Sequence, residues 1–176
     1  MKKVLIVVDM QKDFVDGSLG TPEAQSIVEN AVQKILKHEG PIVTTLDTHE
    51  PHYLNTAEGK KLPVIHCVRN TPGWLLDAQI AKALSQKKSI SVEKGTFGSV
   101  DLPRLLLDIA KGEDFQIELI GLCTDICVVS NALILKAHFP EKEISVDANC
   151  CAGVTPDAHR AALQVLKSCQ IDVFEE

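Results

Sequence analysis

Apolar and polar positions along this chain fall into alternating blocks with two different periods. Val4-Leu5-Ile6-Val7-Val8 is apolar without a break, the pattern of a strand buried on both faces. Thr21-Pro22 then opens a helix, with Thr21 as N-cap and Pro22 at the first helical position. Ala24, Ile27, Val28, Ala31, Val32 and Ile35 recur at helical spacing, and Gly40 ends the segment. Further strands are expected at Ile42 to Leu46, Ser89 to Val92, Phe115 to Ile120, Ile144 to Val146 and around Val173. Helices are expected near Leu76 to Leu84, at Leu102 to Ala110, from about Asp125, and after Thr155-Pro156. Residues 47–75 are polar, punctuated by Pro51, Pro63, Pro72 and Gly73, and show no period. A loop of that length inside a compact domain usually carries function.

Strands alternating with helices imply βαβ units. The expected architecture is therefore α/β: a three-layer, Rossmann-like fold with a six-stranded, mainly parallel sheet and helices on both faces. One domain spanning 1–176 is expected, with no internal repeat. Parallel strands end along one edge, and ligands bind in a crevice there. The first strand runs into Asp9, the second into Asp47 and the third into Glu93-Lys94. The fourth reaches Gly121 and Leu122-Cys123-Thr124-Asp125-Ile126-Cys127. The fold class alone thus gathers a thiol, a lysine and two carboxylates on one rim.

Composition narrows the function classes. The net charge of -6 argues against nucleic-acid binding, and the one dense basic stretch, Lys87-Lys88, is short. No apolar run is long enough to span a bilayer. The apolar run after Met1-Lys2-Lys3 stops at Asp9, too soon for a secretory signal, so a cytoplasmic location is expected. The six cysteines include no CxxC pair, and reduced thiols are the default reading.

On that rim Cys127 falls in the first turn of an expected helix. Unpaired N–H groups and the macrodipole there favour an anion. A nearby Lys94 would push the thiol further toward thiolate. Asp9 is suited to take the proton from sulfur and return it to a leaving amine. Backbone N–H groups at the loop-to-helix junction would hold a developing oxyanion. Taken singly, a helical cysteine is usually core packing, an aspartate after a strand is often a turn residue, and a lysine is usually solvated. Their convergence favours an amide-cleaving thiol enzyme.

The same residues resemble the isochorismatase-like cysteine hydrolases, and within them the nicotinamidases. The matching segments are Asp9-Met10-Gln11-Lys12-Asp13-Phe14, Asp47-Thr48-His49, and Pro63-Val64-Ile65-His66-Cys67-Val68 with Thr71-Pro72-Gly73. Then come Lys94-Gly95-Thr96-Phe97, Gly121 through Val128, and Ala152-Gly153-Val154-Thr155-Pro156. The resemblance implies a catalytic triad of Asp9, Lys94 and Cys127. It implies an oxyanion hole from the backbone N–H groups of Cys123 and Cys127, and a cis peptide between Leu122 and Cys123. Cys123 would serve through its backbone. Isochorismatases that lack the nucleophile run a different reaction, and Cys127 argues against that branch.

Asp47 and His49 alternate along an extended segment, with His66 further on. One carboxylate and two imidazoles suit a divalent metal with open positions. The resemblance implies a metal at Asp47, His49 and His66 that anchors a pyridine nitrogen. Zinc is the first choice, with iron or manganese as alternatives. Glu58 fits a fourth ligand by spacing, and His52 competes with it. Nicotinamidases often carry Trp shortly before the histidine matched by His66 and after the metal-site aspartate. Here those places hold Leu62-Pro63 and Thr48. Phe14 and Phe97 remain as candidates to stack on an aromatic substrate.

The expectation is a cysteine amidohydrolase converting nicotinamide to nicotinate and ammonia through a thioester on Cys127. Its partner would be a small-molecule amide, without nucleic acid or membrane, and the resemblance keeps a homo-oligomer open. Two rivals stand: a family hydrolase of another small amide or carbamoyl compound, and a metal- or ligand-binding protein without catalysis. The first would be inactive on nicotinamide; the second would leave Cys127 inert to iodoacetamide.

Overall fold

The structure is a computed structural model, and it describes residues 2–175. Six strands form one sheet: β1 Lys2–Val8, β2 Ile42–Asp47, β3 Ser89–Lys94, β4 Phe115–Leu122, β5 Ile144–Ala152 and β6 Asp172–Phe174. Their order is β3-β2-β1-β4-β5-β6, and every neighbouring pair is parallel. The mainly parallel sheet expected from the sequence is thus parallel throughout.

β1 shows how a continuous apolar run becomes the centre of a three-layer fold. Val4, Ile6 and Val8 point to one face, into a core with Leu102 and Leu106 of α6 (Leu102–Ala110). Leu135 of α7 (Val129–His138) and Leu166 of α8 (Pro156–Ser168) complete that core. Leu5 and Val7 point the other way, onto Ala31 and Ile35 of α3 (Val28–Lys37) and Ile80 of α5 (Ala78–Leu84). All five of these side chains are fully buried. Each contributes on the order of 1.5–3 kcal/mol by leaving water.

β1 also sets the site. The chain leaves β1 for β2 on one side and, after β3, returns to β4 on the other. The order reverses between β1 and β4, which is where a parallel sheet opens a crevice at its C-terminal edge. Gly121 lets the two strands approach there. Its φ is +118°, and a Cβ would lie 2.1 Å from the Val8 carbonyl oxygen.

Several elements differ from the expectation. A short helix, α1 (Lys12–Val15), stands where a loop was expected, and the helix expected after Thr21 is two: α2 (Pro22–Ser26) stops, and α3 starts at Val28. The Ser26 hydroxyl donates to the Glu23 carbonyl at 2.7 Å, a local bond that competes with the helical ladder. Thr21 caps α2 at Ala24 N, and Thr155 caps α8 at Ala158 N, each followed by a first-turn proline. β5 runs well past Val146. Leu119 pairs with Val146 and Gly121 with Cys151, so two steps on β4 face five on β5. That bulge breaks the alternation by which a strand is recognised. The segment 48–75 contains a 3₁₀ turn at Tyr53–Asn55, the helix α4 (Ala57–Lys61) and a 3₁₀ turn at Pro72–Trp74. Among the described residues no helix is long and apolar enough to cross a membrane.

Candidate active site

Asp9 follows β1 directly and sits at φ +46°. Aspartate tolerates this left-handed turn better than most residues, and the turn keeps its carboxyl beside the sheet edge. Lys94 is the last residue of β3, in register with Asp47 of β2. Cys127 lies beyond β4 in a π-helical turn, Thr124–Val128, that runs into α7. The three meet inside the protein: Asp9 is 0 % exposed, Lys94 5 % and Cys127 5 %.

Lysine is the hub of this group. Lys94 Nζ lies 2.6 Å from Asp9 Oδ2 and donates to Asp47 Oδ1 at 3.3 Å, to Thr96 O at 3.0 Å and to Cys127 Sγ at 3.6 Å. The Thr45 hydroxyl donates to Asp9 Oδ1 at 2.6 Å. Burial pulls the Lys94 ammonium toward neutrality, but Asp9, Cys127 and Asp47 outweigh it and hold the group protonated. Burial pushes the Asp9 carboxyl up; Lys94 pulls it down, Asp47 pushes it up again, and the net direction is upward. A carboxylate raised in this way is a stronger base.

The thiol departs from the expectation that helix and lysine would favour thiolate. Burial, reinforced by Asp9, drives Cys127 well above the ordinary thiol value, and Lys94 offsets this only in part. The resting sulfur keeps its proton because two carboxylates and a sealed environment outweigh one cation. A base must therefore remove that proton during reaction, and Asp9 is the carboxylate beside it.

A second cluster adjoins the first. Ligand atoms of Asp47, His49 and His66 all lie within 4.8 Å of one another, and all three residues are buried. Asp47 Oδ2 is 2.9 Å from His49 Nε2 and 3.5 Å from His66 Nε2. The fit to a metal rests on two details. His49 Nε2 is buried and, although 2.9 Å from Asp47 Oδ2, is not aligned for a hydrogen bond with it or with any other group. His66 Nδ1 is 2.8 Å from the Val64 carbonyl, which favours an Nδ1–H and turns a lone pair on Nε2 toward the cluster. One carboxylate and two imidazoles converging in this way suit a divalent ion. Glu58 Oε1 stands 3.7 Å from His49 Nε2 and 3.8 Å from His66 Nε2. His52 is exposed.

Both clusters face one chamber of about 320 Å³. Asp47, Glu58, His66, Cys123 and Cys127 supply its polar side. Phe14, Leu19, Leu62, Phe97, Ile126 and Val154 supply apolar walls. Phe14 packs against His66 with ring centroids 5.5 Å apart, while Phe97 stays half-exposed at the mouth. The Leu122–Cys123 peptide is cis. Burial lifts the Cys123 thiol to about 12.

Two residues with no role in the sequence reading hold this arrangement. Gln11, fully buried, donates from Nε2 to the carbonyls of Asp47 and Trp74, both at 2.8 Å, and its Oε1 accepts from Asp47 N at 2.7 Å. It clamps the ends of β1 and β2, and with them the Asp47 carboxylate. Asn131 donates to the Cys127 carbonyl at 2.8 Å and accepts from Ser99 N at 2.9 Å, tying the cysteine turn to the loop after Lys94. The available signal for Asn131 was an amide four residues after Cys127, one helical turn on, just before the apolar run Ala132-Leu133-Ile134-Leu135. For Gln11 the sequence held none beyond its place in a matching segment.

Known proteins resemble the chain along its whole length. Nicotinamidase/pyrazinamidase of Mycobacterium tuberculosis is 27% identical over 184 residues, covering 97% of each chain. The crystal structure of nicotinamidase/pyrazinamidase PncA from Bacillus subtilis superposes with a TM-score of 0.84 at 27% identity, covering 99% of this chain and all of that one. The structure of pyrazinamidase of Pyrococcus horikoshii in complex with zinc does so with a TM-score of 0.80 at 26% identity, over 100% of both. The sequence model of the isochorismatase domain matches residues 3–175. On that match, this chain, with its crevice between β1 and β4, belongs to the isochorismatase family.

Proposed function

We propose that the protein is a nicotinamidase that hydrolyses nicotinamide to nicotinate and ammonia through a thioester on Cys127. The observation that carries the reading is a single buried ammonium, Lys94 Nζ, touching both Asp9 (2.6 Å) and Cys127 Sγ (3.6 Å) beside the chamber that holds Asp47 and His66. The names of the Mycobacterium tuberculosis and Bacillus subtilis relatives support the same reading.

In this mechanism the amide seats its ring between the apolar walls, against Phe14 and Phe97. Asp9 takes the proton from Cys127 as sulfur attacks the amide carbon. Lys94 stabilises the charge passing between Asp9 and sulfur. The backbone N–H groups of Cys123 and Cys127 receive the developing oxyanion. Collapse breaks the C–N bond, and the nitrogen leaves as ammonia with the proton from Asp9. Water, deprotonated by Asp9, then cleaves the thioester, releasing nicotinate and the thiol. Asp47, His49 and His66, with Glu58 as fourth ligand, would hold a divalent metal, zinc before iron or manganese. When bound it supplies a Lewis acid for the pyridine nitrogen. The zinc in the Pyrococcus horikoshii complex supports that choice. The enzyme would work in the cytoplasm on a small neutral amide.

The test is ammonia and nicotinate release from nicotinamide by purified protein, with metal content assayed on the same sample. Stoichiometric release of both supports the reading. Absence of release from metal-loaded protein whose Cys127 reacts with iodoacetamide overturns nicotinamide as substrate.

A further inference from the structure

We infer that His159 is a positioning residue for the turn that carries Cys127, acting through the hydroxyl of Thr124. The inference rests on Cys127 being the nucleophile. Thr124 opens the π-helical turn and is fully buried. Its Oγ1 lies 2.8 Å from Nδ1 of His159, which sits on the first turns of α8, a separate element of the fold. The next side chain makes a parallel connection: Asp125 Oδ1 accepts from Val154 N at 3.0 Å. Gly153 lets the two segments close on each other. A Cβ there would lie 2.7 Å from His159 N and 2.8 Å from Asp125 Oδ1. Two successive side chains of the cysteine turn are therefore hooked onto the β5–α8 junction.

The turn needs external hooks because its own ladder is loose. The Val128 N–H reaches back to Cys123 O at 3.0 Å, the wide spacing of a π-turn rather than the tighter α-helical one. A displacement of about half an ångström at a reacting group is enough to impair catalysis. Cys127 Sγ and the two oxyanion amides all ride on this short piece of chain, so the Thr124–His159 bond fixes nucleophile and oxyanion site together. His159 touches neither substrate nor sulfur; it acts through Thr124. Burial lowers the His159 imidazole below its ordinary value, which keeps it neutral and leaves one ring nitrogen as an acceptor.

The experiment uses the full chain and compares His159→Ala, His159→Asn, His159→Gln, Thr124→Val and Thr124→Ser. Asparagine puts its amide near the Nδ1 position; glutamine puts it nearer Nε2. Readouts are kcat and KM for nicotinamide and the rate of Cys127 alkylation by iodoacetamide. His159→Ala, His159→Gln and Thr124→Val should each lower kcat by about tenfold, the loss of roughly one hydrogen bond, with KM within about twofold. Alkylation should slow in parallel. His159→Asn and Thr124→Ser should stay within about twofold of wild type on both readouts. The double variant His159→Ala/Thr124→Val should be no worse than either single one. A merely structural histidine would make alanine and asparagine equivalent, and that result overturns the inference. So does wild-type behaviour of Thr124→Val, which keeps the shape of threonine and guards against a folding defect at His159. If wild-type protein is inactive on nicotinamide, the substrate reading fails by itself, and the alkylation rates of the same variants still decide the role of His159.

Discussion

The site joins two regions built in opposite ways. Asp9, Asp47 and Lys94 stand at or just beyond the ends of parallel strands, and their positions come from sheet register: Val8 pairs with both Thr45 and Gly121, and Asp47 with Lys94. The segment from Thr48 to Leu75 contributes no strand to the sheet, yet it carries His49, Glu58 and His66. Its order comes from individual ties. The His49 N–H donates to Cys67 O, Asp13 accepts from Cys67 N, and the Tyr53 hydroxyl donates to Leu62 O. Asp9 and Lys94 are thus placed by sheet register, whereas His49, Glu58 and His66 sit on a segment ordered one bond at a time. Asp47 spans the two, with Oδ1 toward Lys94 and Oδ2 toward the imidazoles. On the proposed mechanism the comparison separates the thiol chemistry, built on sheet register, from substrate anchoring, built on the loop.

The largest expected effect falls on the strand-end region. Cys127→Ala should reduce nicotinamide turnover by at least about 10³-fold while the far-ultraviolet circular dichroism stays unchanged. Retained turnover would remove the thiol from the mechanism.

Asp9→Asn should cost about 10²–10⁴-fold, the range for losing a general base. The pH profile carries a sign. The base works only when ionised, and burial raises Asp9 from its ordinary 3.8. The wild-type kcat/KM should therefore fall on acidification along a limb whose midpoint lies above 3.8. A limb at or below that value would contradict the burial argument.

The loop region should respond differently. His66→Ala, or removal of metal by chelation, should deplete bound metal and raise KM for nicotinamide at least about tenfold. Cys127 alkylation should remain within about twofold. If alkylation collapses with metal content, the two regions are one functional unit and the comparison fails.

The smallest effect is expected far from both. Lys34 pairs at 2.8 Å with Glu118, whose side chain is 2 % exposed, and at 2.8 Å with Asp147. Lys34→Met should cost about 1–3 kcal/mol of stability, because Glu118 loses a partner, with kcat/KM unchanged. Burial lowers the Lys34 ammonium, but its bonds to Asp147 and Glu118 outweigh that and raise it above 10.5. A raised cation contributes stability in full below 10.5 and loses it as pH climbs through the folded value. On the alkaline side, the stability gap between variant and wild type should therefore begin to narrow only above pH 10.5.

How much was legible beforehand follows the same division. Leu102–Ala110 was readable to the residue because one apolar stripe and a first-turn proline mark it. The continuation of β5 past Val146 was not, because its bulge hides the alternation. Asp9, Lys94 and Cys127 could be brought together from strand order alone. His49 and His66 could be named with Asp47 as metal ligands by residue type, but Glu58 was placed only within the resemblance, since no period runs through the segment. The protonation of Cys127 was read in the wrong direction because burial and the facing carboxylates are properties of the packed site.

The amino-acid sequence by itself determined the parallel α/β architecture and the chemistry on its rim. Apolar period and strand order are local properties of the chain, and a parallel sheet turns strand order into a shared edge. Only the tertiary structure decided that burial, reinforced by Asp9, raises the Cys127 thiol, that Gln11 and Asn131 brace the two clusters, and that His159 meets Thr124. Those outcomes depend on distances between residues far apart in the chain, and on how much water packing leaves between them.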